Sequence, residues 1–462
     1  MDLREQIRSA PMRPLQWGIA LTCIVLSIID GYEILVMALV APSLADQWDL
    51  SDVTLGYLLS AGLVGMALGA VALGPLTDRL GRRRHILVCL ALSAIGMALT
   101  GMATTVETLL VARAFAGLWI GAMVPSLNCM VSEYCSDSRR GTVMGIYGVG
   151  LPAGMVSGGL VTGWLIDQWG WQGPFYFSAI LSGLMFVITL YVLPESVEYL
   201  VERRPPGALH QYNKIAGRFG HEASAQLPRP RGRAAGKPAL RSVFTGTLLK
   251  RTVLLWSSYA LVIAAFYFAN SWTPKMIADA TGSAADGRTV AILISVGGIV
   301  GSLVFAMLSI RWPARTVTAV LAAVGLPVYV LFAAVYTTQI AKAIAIAVGV
   351  VTIGAIAAIY AISPYIYPAA NRGAAVGFMI GCGRSVSIAI PILVGYLLDT
   401  GWAPASILQL SGVAMLAMAA LVYGLHLSYR GRTEDPELVI AEDALRRAGG
   451  LTSCTTKAAT HP

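Results

Sequence analysis

Asp30 and Glu33 stand in the middle of an otherwise apolar stretch, residues 17–40. A spacing of three puts both carboxylates on neighbouring positions of one helical face, with Gly31 between them letting another backbone or a ligand come close. Two acids this near each other resist double ionisation, which suits at least one of them to carrying a proton. Two arginines sit in similar surroundings. Arg113 is followed at four-residue steps by Gly117 and Gly121, a smooth face for close helix contact. Arg384 lies in the run Gly381-Cys382-Gly383-Arg384, and its planar cationic fork matches a carboxylate better than other side chains do. Arg384 is therefore a candidate ligand for an organic anion, and Arg113 a candidate partner for Asp30 or Glu33. The plainer alternative for each is an ion pair that only holds helices together.

The elements that must position these groups follow from composition. Of the 462 residues 56% are hydrophobic and 12% are charged, against about 25% charged in ordinary soluble domains. Apolar blocks such as 17–40, 53–73 and 173–193 are each long enough to cross a hydrocarbon core of about 30 Å. The pattern predicts an all-α membrane protein with twelve spans, at 15–41, 53–76, 85–103, 108–131, 142–166, 174–193, 252–277, 289–310, 315–336, 341–362, 374–398 and 404–427. The first block is too long for a signal peptide and has no small-residue cleavage site after it, so it is expected to remain in the mature chain. A charge at the centre of a span costs about 2.5–3.5 kcal/mol on insertion scales, which makes the four groups above the most informative residues of the chain.

The formal charge of +9 is explained by where it lies. Connections after even-numbered spans carry Arg79, Arg82, Arg83, Arg84, Arg139, Arg140, Arg311, Arg315 and Arg372, whereas those after odd-numbered spans are mainly acidic. Positive charge gathers on the cytoplasmic side, so both termini and the long connector are expected there, in a cell (inner) membrane. The expected divisions are a cytoplasmic N-terminus (1–14), a six-helix bundle (15–193), a basic connector (194–251), a second six-helix bundle (252–428) and a cytoplasmic tail (429–462). The stretch 227–238 of the connector, rich in Pro, Arg and Gly, is expected to be poorly ordered. Sliding the halves by 232 residues aligns Pro42 with Pro274, Arg79 with Arg311, Gly117 with Gly349, Arg140-Gly141 with Arg372-Gly373, Gly145 with Gly377, Gly163 with Gly395 and Asp167 with Asp399, as two parallel repeats around a central site would.

Span 7 carries Tyr259, Phe266, Tyr267, Phe268, Asn270 and Trp272, several of which could line a cavity and stack on a planar ring. Pro152 and Pro391 lie in Gly-rich spans 5 and 11, where bending or sliding is easy. Glu133, beside Arg139 and Arg140, reads as a loop anchor, and His85 and His426, near span ends, as interfacial. No phosphate-binding loop, H-E-x-x-H, nucleophile elbow or metal-spaced Cys/His cluster occurs. The expectation is a non-enzyme with no cofactor, no metal and no nucleic-acid partner, working as a monomer. The six cysteines are scattered and read as packing residues.

The loop Gly74-Pro75-Leu76-Thr77-Asp78-Arg79-Leu80-Gly81-Arg82-Arg83-Arg84 resembles the signature between helices 2 and 3 of the major facilitator superfamily. Asp30-Gly31-Tyr32-Glu33, Arg113 with Gly117 and Gly121, Ser132-Glu133-Tyr134 and Pro194-Glu195-Ser196-Val197-Glu198-Tyr199-Leu200 resemble, more narrowly, its aromatic acid:proton symporter family. These motifs cover mainly the N-terminal half. The resemblance implies uptake of a benzoate-like or hydroxybenzoate-like carboxylate with a proton, coupled through Asp30 and Glu33. Substrate contacts would fall to Arg384, Arg113, Tyr32, Tyr267 and Asn270, and gating to Gly74, Asp78, Arg79, Gly81 and Arg82. Glu33 departs from the usual Asp, which moves the titrating group one methylene outward. Span 5 lacks the G-P-x-x-G-G pattern of drug:proton antiporters, which leans the direction toward symport. Other readings are a symporter for another organic anion (a dicarboxylate, muconate or a sugar acid) and a membrane-embedded sensor of aromatic compounds.

Overall fold

Each apolar block folds as a helix, because a chain in hydrocarbon must satisfy its backbone groups internally. The computed structural model describes residues 2–229, 244, 246–367 and 369–429, without the side chains at 75, 78, 140, 141, 364 and 369–374, and among these residues there is no strand. Among the described residues eleven segments are long and apolar enough to span a membrane, and one of them, Thr142–Val192, is two helices. The twelve spans form two halves. Spans 1–6 are Pro14–Trp48, Asp52–Leu68, Arg82–Gly101, Val106–Tyr134, Arg140–Trp169 and Gly173–Val192. Spans 7–12 are Gly246–Ser271, Ala284–Leu308, Ala314–Val335, Ile340–Ile362, Ala369–Asp399 and Pro404–Leu427. Many hydroxyls within spans bond to the carbonyl four residues back, as Thr100 does to Gly96, Thr162 to Gly158 and Thr352 to Val348, which satisfies them without water.

Close backbone approach drives the packing within each half, since lipid tails offer no hydrophobic gain on helix association. A Cβ on Gly117 would collide with the carbonyl of Gly62 on span 2, and one on Gly121 with that of Met66. The C-terminal half repeats this register at the same offset. Gly349 (117 + 232) meets the carbonyl of Ile294 (62 + 232), and Gly301 (69 + 232) meets that of Val350 (118 + 232), just as Gly69 meets that of Leu118. Spans 8 and 10 therefore pack as spans 2 and 4 do, residue for residue.

The halves meet through spans 2 with 11 and 5 with 8. Their direct polar contacts among the described residues lie toward the end away from the connector. There the Asp52 amide donates to Asp399 (3.1 Å), Tyr57 and Tyr396 share a hydroxyl hydrogen bond (2.8 Å), Ser60 donates to the Ile388 carbonyl (2.8 Å), and Lys275 pairs with Asp52 (3.1 Å). Toward the connector end the same faces part: positions Gly145, Gly148, Gly377 and Gly381 have no atom within 4 Å of where a Cβ would stand. The molecule is closed at the far end and open at the connector end.

Three local features differ from expectation. Span 7 stops at Ser271, and a separate helix, Thr273–Thr281, starts with Pro274 in its first turn, where the missing N–H costs nothing. The first part of the connector is helical, at Val197–Arg203 and Ala208–Arg218, while most of the stretch expected to be poorly ordered lies outside the described residues. His85 is buried rather than interfacial: its ring nitrogens reach the Ser126 hydroxyl (2.8 Å) and the Leu73 carbonyl (3.1 Å), the latter in a π-helical turn at Gly69–Leu73. Since span 10 packs by backbone contact at Gly349, Gly349→Leu should cost about 1–3 kcal/mol. A lowered melting temperature of the purified protein checks this, with Gly183→Leu, at a position with no neighbour within 4 Å, melting as the parent does.

Candidate functional site

Asp30 and Glu33 leave span 1 in different directions. Glu33 turns inside its own half, where its Oε1 accepts from Ser178 (2.6 Å) and Ser182 (3.1 Å), hydroxyls one turn apart on span 6. Arg113 sits beside it, 5% exposed, with Nη2 3.5 Å from the Glu33 carbonyl and its guanidinium 5.7 Å from the Phe175 ring. Asp30 instead interacts electrostatically with Arg384 of the opposite half and with Tyr147 of span 5. It is equally buried, and its Oδ1 has no hydrogen-bond donor. Gly31 permits this placement, because a Cβ there would strike the Leu151 carbonyl of span 5.

Arg384 projects from span 11 into a group of phenols. Its Nη1 donates to the Tyr267 hydroxyl (3.3 Å), and it interacts electrostatically with Tyr259 and Tyr360, whose hydroxyls are hydrogen-bonded at 2.7 Å. A cation ringed by phenols can pair with an external carboxylate and leave no charge over once the Asp30 carboxyl is protonated.

Between the halves lies a small cavity of about 30 Å³, lined by Glu33, Arg113, Tyr267 and Asn270 among others. That is room for water and too little for an aromatic ring. Asn270 donates to the Phe266 carbonyl (2.9 Å), which leaves its Oδ1 buried and without a partner. The two halves thus bring together Asp30, Glu33, Arg113, Tyr267, Asn270 and Arg384. Tyr32 is placed elsewhere: its hydroxyl donates to the Pro174 carbonyl (2.9 Å) and its ring packs on Phe177.

The residues expected to gate lie at the connector end. Gly81 adopts φ +95°, and a Cβ on it would stand 2.5 Å from Glu195 Oε2, so the position calls for glycine on both counts. Glu195 Oε1 accepts from the amides of Arg83 (3.0 Å) and Ser196 (2.9 Å), which caps the N-terminus of span 3 with a negative charge. Arg82 pairs with Glu133 (3.5 Å), Ser196 donates to Glu133, and the Tyr199 hydroxyl donates to the Arg79 carbonyl (3.1 Å). Gly74 abuts Pro125, while the Asp78 side chain lies outside the described residues. One network therefore ties together the loop after span 2, the end of span 4 and the start of the connector.

Sequence reasoning missed Ser178, Ser182, Tyr147 and Tyr360. The two serines had a readable signal, polar residues four apart on an apolar helix. Tyr147 and Tyr360 had none, since a lone tyrosine in a span is ordinarily packing. The contacts of Asp52, Lys275 and Asp399 at the closed end were also missed, because each reads alone as a loop charge.

The chain is 28% identical to the gallate transporter of Pseudomonas putida over 425 residues, which is 91% of this chain and 94% of that one. It is 27% identical to the 4-hydroxybenzoate transporter PcaK of Pseudomonas aeruginosa over 87% of this chain and 90% of its relative. In fold it is similar to the inward-open xylose transporter XylE of E. coli, with a TM-score of 0.69 at 17% identity, covering 92% of this chain and 99% of that one. With residues 21–358 matching the family model, this twelve-span chain belongs to the Major Facilitator Superfamily.

Proposed function

We propose that the protein is a proton-coupled symporter that imports an aromatic carboxylate, such as a benzoate or hydroxybenzoate, by alternating access. The observation that carries this reading is Arg384 of one half, within electrostatic reach of Asp30 of the other and donating to Tyr267 on the wall of a cavity that Glu33, Arg113 and Asn270 also line. The gallate and 4-hydroxybenzoate transporters among its relatives support the substrate class. Basic loops on the connector side support cytoplasmic termini in a cell membrane.

In the proposed cycle the outward-facing protein takes a proton on Asp30 or Glu33 and the carboxylate pairs with Arg384. A proton on Asp30 removes the internal competitor for that guanidinium, so proton and anion favour each other's binding. Phenols of spans 7 and 10 and apolar walls of spans 1 and 4 enclose the ring. The halves then rock into the arrangement described above, with the far end sealed by spans 2 and 11. One monoanion moving with one proton is electroneutral.

The direct test is uptake of labelled benzoate, hydroxybenzoates, muconate and unrelated acids by proteoliposomes under an imposed pH gradient. Gradient-driven accumulation of the aromatic acids is expected, and binding without flux would mark a sensor instead. Asp30→Asn should abolish proton-driven uptake while membrane insertion persists; normal accumulation would remove Asp30 from the scheme. Arg384→Ala should raise the apparent KM for carboxylates at least ~10-fold, as loss of a charge-assisted pair implies. Uncharged analogues should be less affected, and an equal effect on both would make Arg384 structural. A cleavable thiol cross-link between Tyr57→Cys and Tyr396→Cys should stop uptake, cleavage should restore it, and either cysteine alone should do neither.

A further inference from the structure

We propose that the pocket between the connector helix Ala208–Arg218 and the connector-side ends of spans 3 and 6 binds the phosphate of an anionic phospholipid headgroup. The helix is amphipathic. Tyr212, Ile215 and Ala216 are buried against the bundle, while His210, Lys214 and Arg218 follow one another at four-residue steps along the pocket side. Arg83 and Arg84, at the start of span 3, face them across a pocket of about 430 Å³.

Charge in this pocket is not balanced from within. Its one lining acid, Glu195, is engaged by the amides of Arg83 and Ser196. Arg83 is held in place by donating to the Leu190 carbonyl (2.6 Å). Among the described residues no carboxylate lies within ion-pair distance of Arg84, Lys214 or Arg218, and all three are exposed. Four Lys or Arg side chains thus converge on one acid that is already used.

The rim distinguishes a lipid from a soluble anion. Leu190 and Tyr191, at the last turn of span 6, line the pocket, and Tyr191 is 73% exposed. A tyrosine at this level suits the boundary between acyl chains and headgroups. The pocket therefore presents cations to a phosphate and an apolar aromatic edge to the chains attached to it, the pairing expected of a basic site between spans on the cytoplasmic side. A bound headgroup would bridge the connector to the start of span 3, next to Gly81 and Arg82. The proposal does not depend on what the protein transports.

The test uses the full chain in neutral detergent, with thermal stability measured while short-chain phosphatidylglycerol, short-chain phosphatidylcholine, glycerol 1-phosphate or inorganic phosphate is titrated in. Phosphatidylglycerol should raise the melting temperature saturably. The triple variant Arg84→Ala, Lys214→Ala, Arg218→Ala should need at least ~10-fold more of it. A control that removes three exposed basic residues elsewhere, Arg203→Ala, Lys250→Ala, Arg311→Ala, should respond as the parent does. The single change Lys214→Gln should weaken the response ~3-fold and keeps the test decisive if the triple variant does not fold. The proposal falls if phosphatidylcholine stabilises equally, if the control loses the response as fully as the triple variant, or if glycerol 1-phosphate or phosphate reproduces the effect, which would mark a soluble-anion site.

Discussion

A charge held inside a membrane must be balanced close by, and the centre of this protein is arranged around that constraint. Asp30, Glu33 and Arg113 are each 5% exposed or less. An isolated charge at this depth costs about 2.5–3.5 kcal/mol by insertion scales, and stranding one by removing its partner costs more. Two acid-base couples meet the constraint in different ways. Glu33 and Arg113 belong to one half and move as a unit. Asp30 and Arg384 belong to different halves, so any relative motion of the halves changes how well each is compensated.

The scaffold around these couples is stiff where it must carry them and divided where it must move. Within each half, glycines bring helix backbones into contact, and the same contacts recur 232 residues later. Between the halves, apolar contacts are joined by direct polar contacts that lie toward the far end and are made largely by hydroxyls and loop charges. Such contacts at a wet edge are individually worth about 1 kcal/mol or less, so they can break and re-form at modest cost. The fold thus combines backbone-to-backbone packing inside each half with a breakable polar latch at one end of the interface between them.

The sequence motifs at the connector end acquire a physical meaning once they are seen together. Glu195 caps span 3, Tyr199 grips the Arg79 carbonyl, and Ser196 bonds Glu133. Gly81 adopts a backbone conformation and a closeness to Glu195 that admit no side chain. Three stretches far apart in the chain carry those residues because they form a single joint.

Span number, the two halves and the internal repeat were legible from the sequence, because hydrocarbon permits only helices of a set length and an offset of 232 residues preserves the glycines that let helices touch. The cost of intramembrane charge likewise singled out Asp30, Glu33, Arg113 and Arg384. What linear order could not supply was direction. Residues three apart on a helix differ by about 60° around its axis, enough for Glu33 to face its own half and Asp30 the other. Tyr32, between them, turns to Pro174 instead. Which end is closed was equally hidden, since Asp52, Tyr57, Tyr396 and Asp399 meet only when two halves, separate in sequence, are brought together in space.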